Sequence, residues 1–243
     1  MPDRVSIMPV PPTELSLSVI IMAFNEEANL PVQVERTVAF LSEHTAAWQI
    51  VIVNDGSSDQ TGPIADAYAA EDPERINVVH HPVNRGMGAA IRHGYAAARC
   101  DWITQLPADC QVDPQVFLRF FPHLGTADIV LSVYRERDDG WQRKILSWGF
   151  QTFVKLVLGA RGDFTGTMVF RRTLLADVGP LYSESFFVNL EFPIRVLQLG
   201  TAFAIVEIEA QPRLHGTSKV ANTGRIKTVV REALAMRRRQ RGR

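Results

Sequence analysis

Between residues 17 and 106 four short apolar runs alternate with three segments of helical spacing, and few folds accommodate that rhythm. Leu17, Val19, Ile20, Ile21 and Met22 form the first run, apolar and rich in β-branched residues, as in strands buried on both faces of a sheet. Residues 27–41 follow, with Leu30, Val34, Val38 and Leu41 three or four apart, the spacing of one helix face. The pattern recurs as strand 50–53 and helix 62–70, strand 76–80 and helix 86–98, and strand 102–106. Strands joined through helices by short turns predict an α/β fold whose parallel sheet is covered on both faces. In such a sheet ligands bind beyond the carboxyl ends of the strands.

Three of the four strand ends are polar. The first reads Asn25-Glu26, the second Asn54-Asp55-Gly56-Ser57-Ser58-Asp59, and the fourth continues into Asp109-Cys110-Gln111-Val112-Asp113. In the last, a carboxylate, an amide and a second carboxylate at alternate positions supply the hard oxygens that Mg²⁺ or Mn²⁺ and a diphosphate require. The competing reading is a surface turn in which Asp113 caps a helix opening at Pro114. Asp55 can accept hydrogen bonds from a ribose or a base, with Gly56 permitting the tight turn. Ser58 or Asp59 is expected to cap the helix beginning near Thr61. Asn84-Arg85-Gly86-Met87-Gly88 follows the third strand, not the first, so it is no dinucleotide fingerprint. Its glycines either offer N–H groups to a phosphate at a helix start or allow close helix packing.

The second half is less regular. Residues 129–133 and 202–208 read as strands, and 226–236 as a final helix. Residues 145–158 read as a helix carrying Trp148, Phe150 and Phe153, an apolar surface broad for a core face. With Arg143 and Lys144 just before it, this helix suits an anionic membrane surface; the alternative is burial against a second copy in a homodimer. The net charge of zero hides an asymmetry, because residues 213–243 hold ten Lys and Arg against one acid, Glu232, leaving 16 basic and 25 acidic residues before them. Such an end either meets anionic head groups or a phosphorylated acceptor, or is a solvated tail. It has no aromatic residues to stack bases, so nucleic acid is not an expected partner. No apolar run nears the roughly 20 residues of a membrane span, and no charged-then-apolar leader opens the sequence. Cys100 and Cys110 lack metal-ligand spacing and read as reduced thiols. A cytoplasmic location follows as the expectation, with peripheral attachment to the cytoplasmic membrane face as an option. The expected organisation is a flexible lead over 1–15, one domain over 16–220, and a basic helix and tail over 221–243.

Four segments in order, SVIIMAFNEEANL, IVIVNDGSSDQTG, NRGMGAAIRHGYAAA and ITQLPADCQVDP, resemble the family 2 inverting glycosyltransferases, and among them the dolichyl- and polyprenyl-phosphate sugar synthases. The resemblance covers about residues 16–220. It implies a GT-A, Rossmann-like fold: a mostly parallel central sheet flanked by helices on both faces, with a less regular acceptor-side part towards the C-terminus. It implies nucleotide binding by Ala23, Asn25, Glu26, Asn54 and Asp55, with Gly86 at the following helix. The family's acidic motif reads Asp-x-Asp-x-Gln; here Pro107 replaces its first Asp, which leaves Asp109 and Gln111 as the implied ligands of Mg²⁺ or Mn²⁺.

Further along, Asp163-Phe164-Thr165-Gly166 resembles an Asp-x-x-(Ser/Thr)-Gly segment lining the acceptor side, although its Thr-Gly pair comes one residue early. Glu191 matches an acid that faces the donor sugar. Arg213, Ser218 and Lys219 match a loop that closes over phosphates, Arg by bidentate hydrogen bonding and Lys as a point charge. The implied reaction moves a sugar from a UDP- or GDP-sugar. A hydroxyl acceptor, on a saccharide or small molecule, would want a base, with Glu191 the candidate; a polyprenyl phosphate is already anionic and needs none. A sugar-nucleotide-binding module without catalysis is the reading from a different class. A nucleotidyltransferase would want a Gly-rich basic loop after the first strand, which is absent.

Overall fold

The structure is a computed structural model that describes residues 10–135, 166–209 and 223–241. Its centre is a seven-stranded sheet of β1 (Ser16–Ala23), β2 (Ala47–Asn54), β3 (Ile76–His80), β4 (Trp102–Pro107), β5 (Ile129–Tyr134), β6 (Met168–Arg171) and β7 (Phe203–Ile208), in the order β3-β2-β1-β4-β6-β5-β7. The helices are α1 (Leu30–His44), α2 (Thr61–Glu71), α3 (Met87–Ala97), α4 (Leu174–Val178), α5 (Val188–Gln198) and α6 (Thr223–Arg241). The mostly parallel α/β sheet is the architecture expected, and one of its strands, β6, was not foreseen. β6 runs antiparallel to both β4 and β5. Met168, Val169 and Phe170 are buried, so this four-residue strand shows no alternation by which the sequence could announce it.

Alternate residues of β1 serve two cores. Leu17, Val19 and Ile21 join α1 and Phe117, Phe120 and Phe121 on one face, while Ile20 joins α3, Phe170 and Phe192 on the other. This is why the strand reads as continuous apolar sequence. β2 starts three residues earlier than expected, because Trp48 and Gln49 are buried strand residues that interrupt the apolar run. Gln49 is tolerated there because it is fully bonded: Oε1 accepts from Ser18 Oγ and Arg99 N, each at 2.9 Å, and Nε2 donates to Asn77 Oδ1 and the Ala97 carbonyl. α1 begins at Leu30, three residues late, after a turn closed by Leu30 N on the Glu26 carbonyl. α5 continues through Pro193; burial of Leu190, Phe192, Ile194 and Val196 outweighs the hydrogen bond that the proline forgoes.

α3 meets the sheet at Gly94. A Cβ there would stand 2.2 Å from Ile20 Cγ2 and 3.3 Å from Val53 Cγ2, so the glycine sets how closely helix and sheet approach. Gly94→Ala is expected to lower stability by about 1–3 kcal/mol through overpacking, despite alanine's better helix propensity. A melting temperature equal to or above that of the parent would show that α3 can shift away without penalty.

α6 is longer than expected and is part of the folded body. Val229, Ala233 and Met236 are buried, and the Glu232 carboxylate accepts from Glu184 N at 3.0 Å, Ser185 N at 3.3 Å and the Ser185 hydroxyl. Residues 1–9 of the expected lead, the 145–158 segment with its three aromatics, and residues 210–222 lie outside the described residues. Among the described residues no helix is long and apolar enough to cross a membrane.

Candidate active site at the strand ends

Sheet order places the carboxyl ends of β2, β1 and β4 side by side, so the three polar segments meet. Main-chain bonds stitch them together: Asp55 N donates to the Ala23 carbonyl at 2.9 Å, and Ala108 N to the Met22 carbonyl at 3.0 Å. The turns after β1 and β2 interlock through side chains. Asn25, left-handed at φ 53°, accepts Ser58 N on Oδ1 at 2.8 Å and donates its own N–H to Ser57 Oγ at 3.0 Å. Asparagine tolerates that conformation better than most residues. Glu26 N donates to Thr61 Oγ1, and the Glu26 carboxylate accepts from Asn29 Nδ2. Glu27 N donates to Asp59 Oδ2 while Gln60 N donates to Glu27 Oε2. Asp59 also accepts from Thr61 N, but it stands one residue before the cap position of α2, Gln60, which makes no side-chain cap bond, so the expected cap by Ser58 or Asp59 is corrected. Burial acts upward on the Asp59 carboxyl, but the Thr61 and Glu27 bonds hold it below the usual range. Asn54 accepts from Ser57 N, and its Nδ2 lies 3.1 Å from His80 Nδ1. Ala23 and Asn54 are buried and Asn25 and Glu26 are half-buried, all at the carboxyl ends of β1 and β2.

Asp55 does more than a rim residue would. It is 5% exposed and accepts three hydrogen bonds, from His81 Nδ1 at 2.6 Å, Arg85 N at 2.8 Å and Gly86 N at 2.9 Å. Its carboxylate holds the turn between β3 and α3. Gly56, at φ 70°, lets the two turns touch, since a Cβ there would lie 2.3 Å from the Val83 carbonyl carbon. The phosphate-cradle reading of Gly86 and Gly88 is corrected as well. Gly86 N goes to Asp55 and Gly88 N to the Glu184 carbonyl at 3.0 Å, and a Gly88 Cβ would stand 2.4 Å from the Ser183 carbonyl oxygen. Those glycines serve close packing, the alternative left open by the sequence.

At the end of β4, Asp109 is 5% exposed and its Oδ1 accepts from Gln111 N at 3.1 Å. Cys110 between them is left-handed at φ 58°, a conformation costly for a residue with a Cβ, and burial pushes its thiol up. Asp113 is the cap of a 3₁₀ turn opening at Pro114, with Oδ1 accepting from Gln115 N at 2.9 Å. The capping alternative holds for Asp113. Asp109 and Gln111 remain as one carboxylate and one amide, both hard oxygen donors. Among the described residues no three His, Cys, Asp or Glu side chains gather to hold a metal. A cation here would draw its other ligands from diphosphate oxygens and water, which is how Mg²⁺ is commonly bound, so the donor set fits a metal shared with substrate.

Glu191 on α5 is 2% exposed and saturated with donors. It accepts from Tyr182 N, Ser183 N at 2.8 Å, the Ser183 hydroxyl at 2.5 Å, and Arg195 Nη1 at 3.0 Å. The expected role as a base is corrected to one of organising residues 180–183, because no lone pair is left facing an acceptor. That segment in turn receives Arg92, whose guanidinium donates to the Ser183 carbonyl. Gly166 donates its N–H to the Ser132 carbonyl and is pressed against Ser132 and Ile208, a packing position and not an open ligand. Asp163, Thr165, Arg213, Ser218 and Lys219 lie outside the described residues.

A family model described as glycosyl transferase family 2 matches residues 18–179, the stretch from β1 through α4 that contains all three polar strand ends. The chain belongs to glycosyl transferase family 2. Similar family members include an undecaprenyl-phosphate 4-deoxy-4-formamido-L-arabinose transferase from Pectobacterium carotovorum, 30% identical over 84% of this chain and 62% of that protein. A polyprenol monophosphomannose synthase from Mycolicibacterium smegmatis is 31% identical over 93% of this chain and 86% of its own. The chain thus spans about three fifths of the arabinose transferase's length. Among solved structures, mannosyl-3-phosphoglycerate synthase from Rubrobacter xylanophilus superposes with a TM-score of 0.69 at 22% identity, covering 94% of this chain and 76% of that one. Glucosyl-3-phosphoglycerate synthase from Mycobacterium tuberculosis, crystallised with Mn²⁺, UDP and phosphoglyceric acid, gives 0.67 at 20% identity, covering 91% and 77%. These likenesses carry the glycosyltransferase fold.

Three groups in this family 2 chain escaped the sequence reading: the His81–His93 pair, the Tyr182–Ser185 segment, and Glu232. The adjacent histidines His80 and His81, two residues before Asn84-Arg85-Gly86, were a visible signal for the first. Nothing local marked the role of the other two: residues 182–185 offer main-chain amides and carbonyls to distant helices, and Glu232 offers its carboxylate to Glu184 and Ser185.

Proposed function

We propose that the protein transfers a sugar from a UDP- or GDP-sugar to a polyprenyl phosphate, with inversion. The observation that carries the acceptor class is Glu191: the candidate base is saturated by four donor groups, which suits an acceptor that arrives already ionised. The two curated relatives, whose names carry undecaprenyl phosphate and polyprenol phosphate, support the same choice.

In this reading Ala23, Asn25, Glu26 and Asn54 frame the base and ribose, and Asp55 acts from beneath by fixing the β3–α3 turn. Asp109 and Gln111 would hold Mg²⁺ or Mn²⁺ beside the diphosphate, where a divalent cation offsets the charge that builds on the leaving group. Arg213, Ser218 and Lys219 are proposed to meet the phosphates and Asp163 and Thr165 the acceptor side, on the strength of their motifs. The basic α6 and the aromatic 145–158 segment are proposed to bring the protein to an anionic membrane surface, where an isoprenoid tail can stay in the bilayer; a homodimer covering the same aromatics is the alternative.

The test offers purified protein a panel of UDP- and GDP-sugars with Mn²⁺, adding polyprenyl phosphate in anionic vesicles or saccharide acceptors in solution. Turnover only with the lipid, on vesicles that carry the protein down in sedimentation and release it with salt, is the expected result. Turnover only with hydroxyl acceptors would overturn the acceptor assignment, and nucleotide binding without any turnover would overturn the catalytic one.

A further inference from the structure

Beneath the strand ends lies an arrangement that the proposed chemistry does not use. His81, at the end of β3, is buried, and its Nδ1 stands 2.6 Å from Asp55 Oδ1. Its Nε2 stands 2.7 Å from Nδ1 of His93, which is half-buried on the second turn of α3, and the two rings meet edge to face at 4.8 Å. A carboxylate only accepts, so His81 Nδ1 carries the proton of the first bond. A neutral His81 then has a lone pair at Nε2, and His93 must donate from Nδ1, leaving its own Nε2 as the outer end of the chain.

We propose that His81 and His93 are positioning residues for nucleotide recognition, forming with Asp55 a proton-sharing chain that fixes the turn from Asn84 to Met87 against the strand ends. The inference rests on reading the strand ends as a nucleotide site. Its physical basis is that one carboxylate carries both backbone amides of that turn, Arg85 N on Oδ1 and Gly86 N on Oδ2. Rotation of the carboxylate would break one or both bonds, and the histidine pair resists that rotation. Buried polar networks of this kind are rigid when every member is satisfied.

The chain also makes the turn sensitive to acid. The charged and titratable groups facing His93 are His81 and Arg85 from the β3–α3 turn, Arg92 from α3 itself, and Asp55 from the turn after β2. Burial foremost, then His81, Arg85 and Arg92, hold the His93 imidazole below its usual range, with Asp55 acting the other way. The folded protein therefore takes up this proton at lower pH than the unfolded chain does. Stability from this source is fully present above the ordinary imidazole pKa and is lost as pH falls through the folded value. An added proton draws Asp55 Oδ1 towards the imidazolium, and Arg85 N shares that oxygen, so the turn loosens in acid.

The experiment is titration calorimetry of UDP and GDP into the full chain between about pH 5 and pH 8, for the parent, His93→Leu and His93→Gln. His93→Leu should weaken nucleotide affinity about tenfold, whereas His93→Gln, whose amide can still donate to His81, should stay within about twofold at neutral pH. The acid fall in affinity should move in His93→Gln, which a purely packing role would leave in place. If His93→Leu does not fold, the His93→Gln profile decides. A parent that binds nucleotide, with variants of unchanged affinity and unchanged pH profile, overturns this inference alone. A parent that binds neither nucleotide overturns the nucleotide reading along with it.

Discussion

Asp109→Asn should lower kcat/KM by at least about a hundredfold, roughly 2.7 kcal/mol of transition-state stabilisation. The substitution keeps the shape and one acceptor oxygen but removes the charge that would hold a cation beside the leaving diphosphate. Pro107 supplies no oxygen side chain at the preceding position of the motif, so Asp109 has no neighbour there to take over. The effect should fall on kcat more than on KM, because charge builds on the diphosphate mainly as the bond breaks. Turnover near that of the parent at saturating Mn²⁺ would show that the Asp109–Asp113 stretch is only the turn that Asp113 caps.

The second large effect is expected at Asp55. Replacing it by alanine leaves Arg85 N, Gly86 N and His81 Nδ1 without their acceptor in a buried site. Donors stranded in this way cost about 1–3 kcal/mol each, less whatever water can recover, so a net loss of about 3 kcal/mol is expected. For a chain of this size that is a fall in melting temperature of roughly 6–12 °C. Affinity for free UDP or GDP should fall with it, since the proposed nucleotide site borders the turn that the carboxylate holds. Asp55→Asn is the sharper control, because its amide can accept on one side only and sets a donor against a donor on the other. Equal melting temperature and equal nucleotide affinity in the alanine variant would mean that the turn is held by other contacts.

Asp55 also shows where a sequence stops being readable. That it stands at a strand end, next to a glycine in a tight turn, was plain from its neighbours. Its partners were not, because His81, Arg85 and Gly86 lie 26 to 31 residues further on and reach it only after β3 has paired beside β2. The same distinction runs through the fold. β1, β2 and β4 were legible because burial on both faces leaves a dense apolar signature. β6 was not, being four residues long. The donors that saturate Glu191 include the main-chain amides of residues 182 and 183, and no side-chain pattern encodes those.

The bonds of Glu232 give the C-terminal helix a mechanical meaning. Glu232 is the single acid after Arg213, and its carboxylate grips the backbone of Glu184 and Ser185. The carbonyl of that same Glu184 supports Gly88 N in the first turn of α3. α6 and the first turn of α3 thus hang from one short peg, the backbone of residues 184 and 185, which ties the cationic end of the chain to the helix that follows the turn held by Asp55.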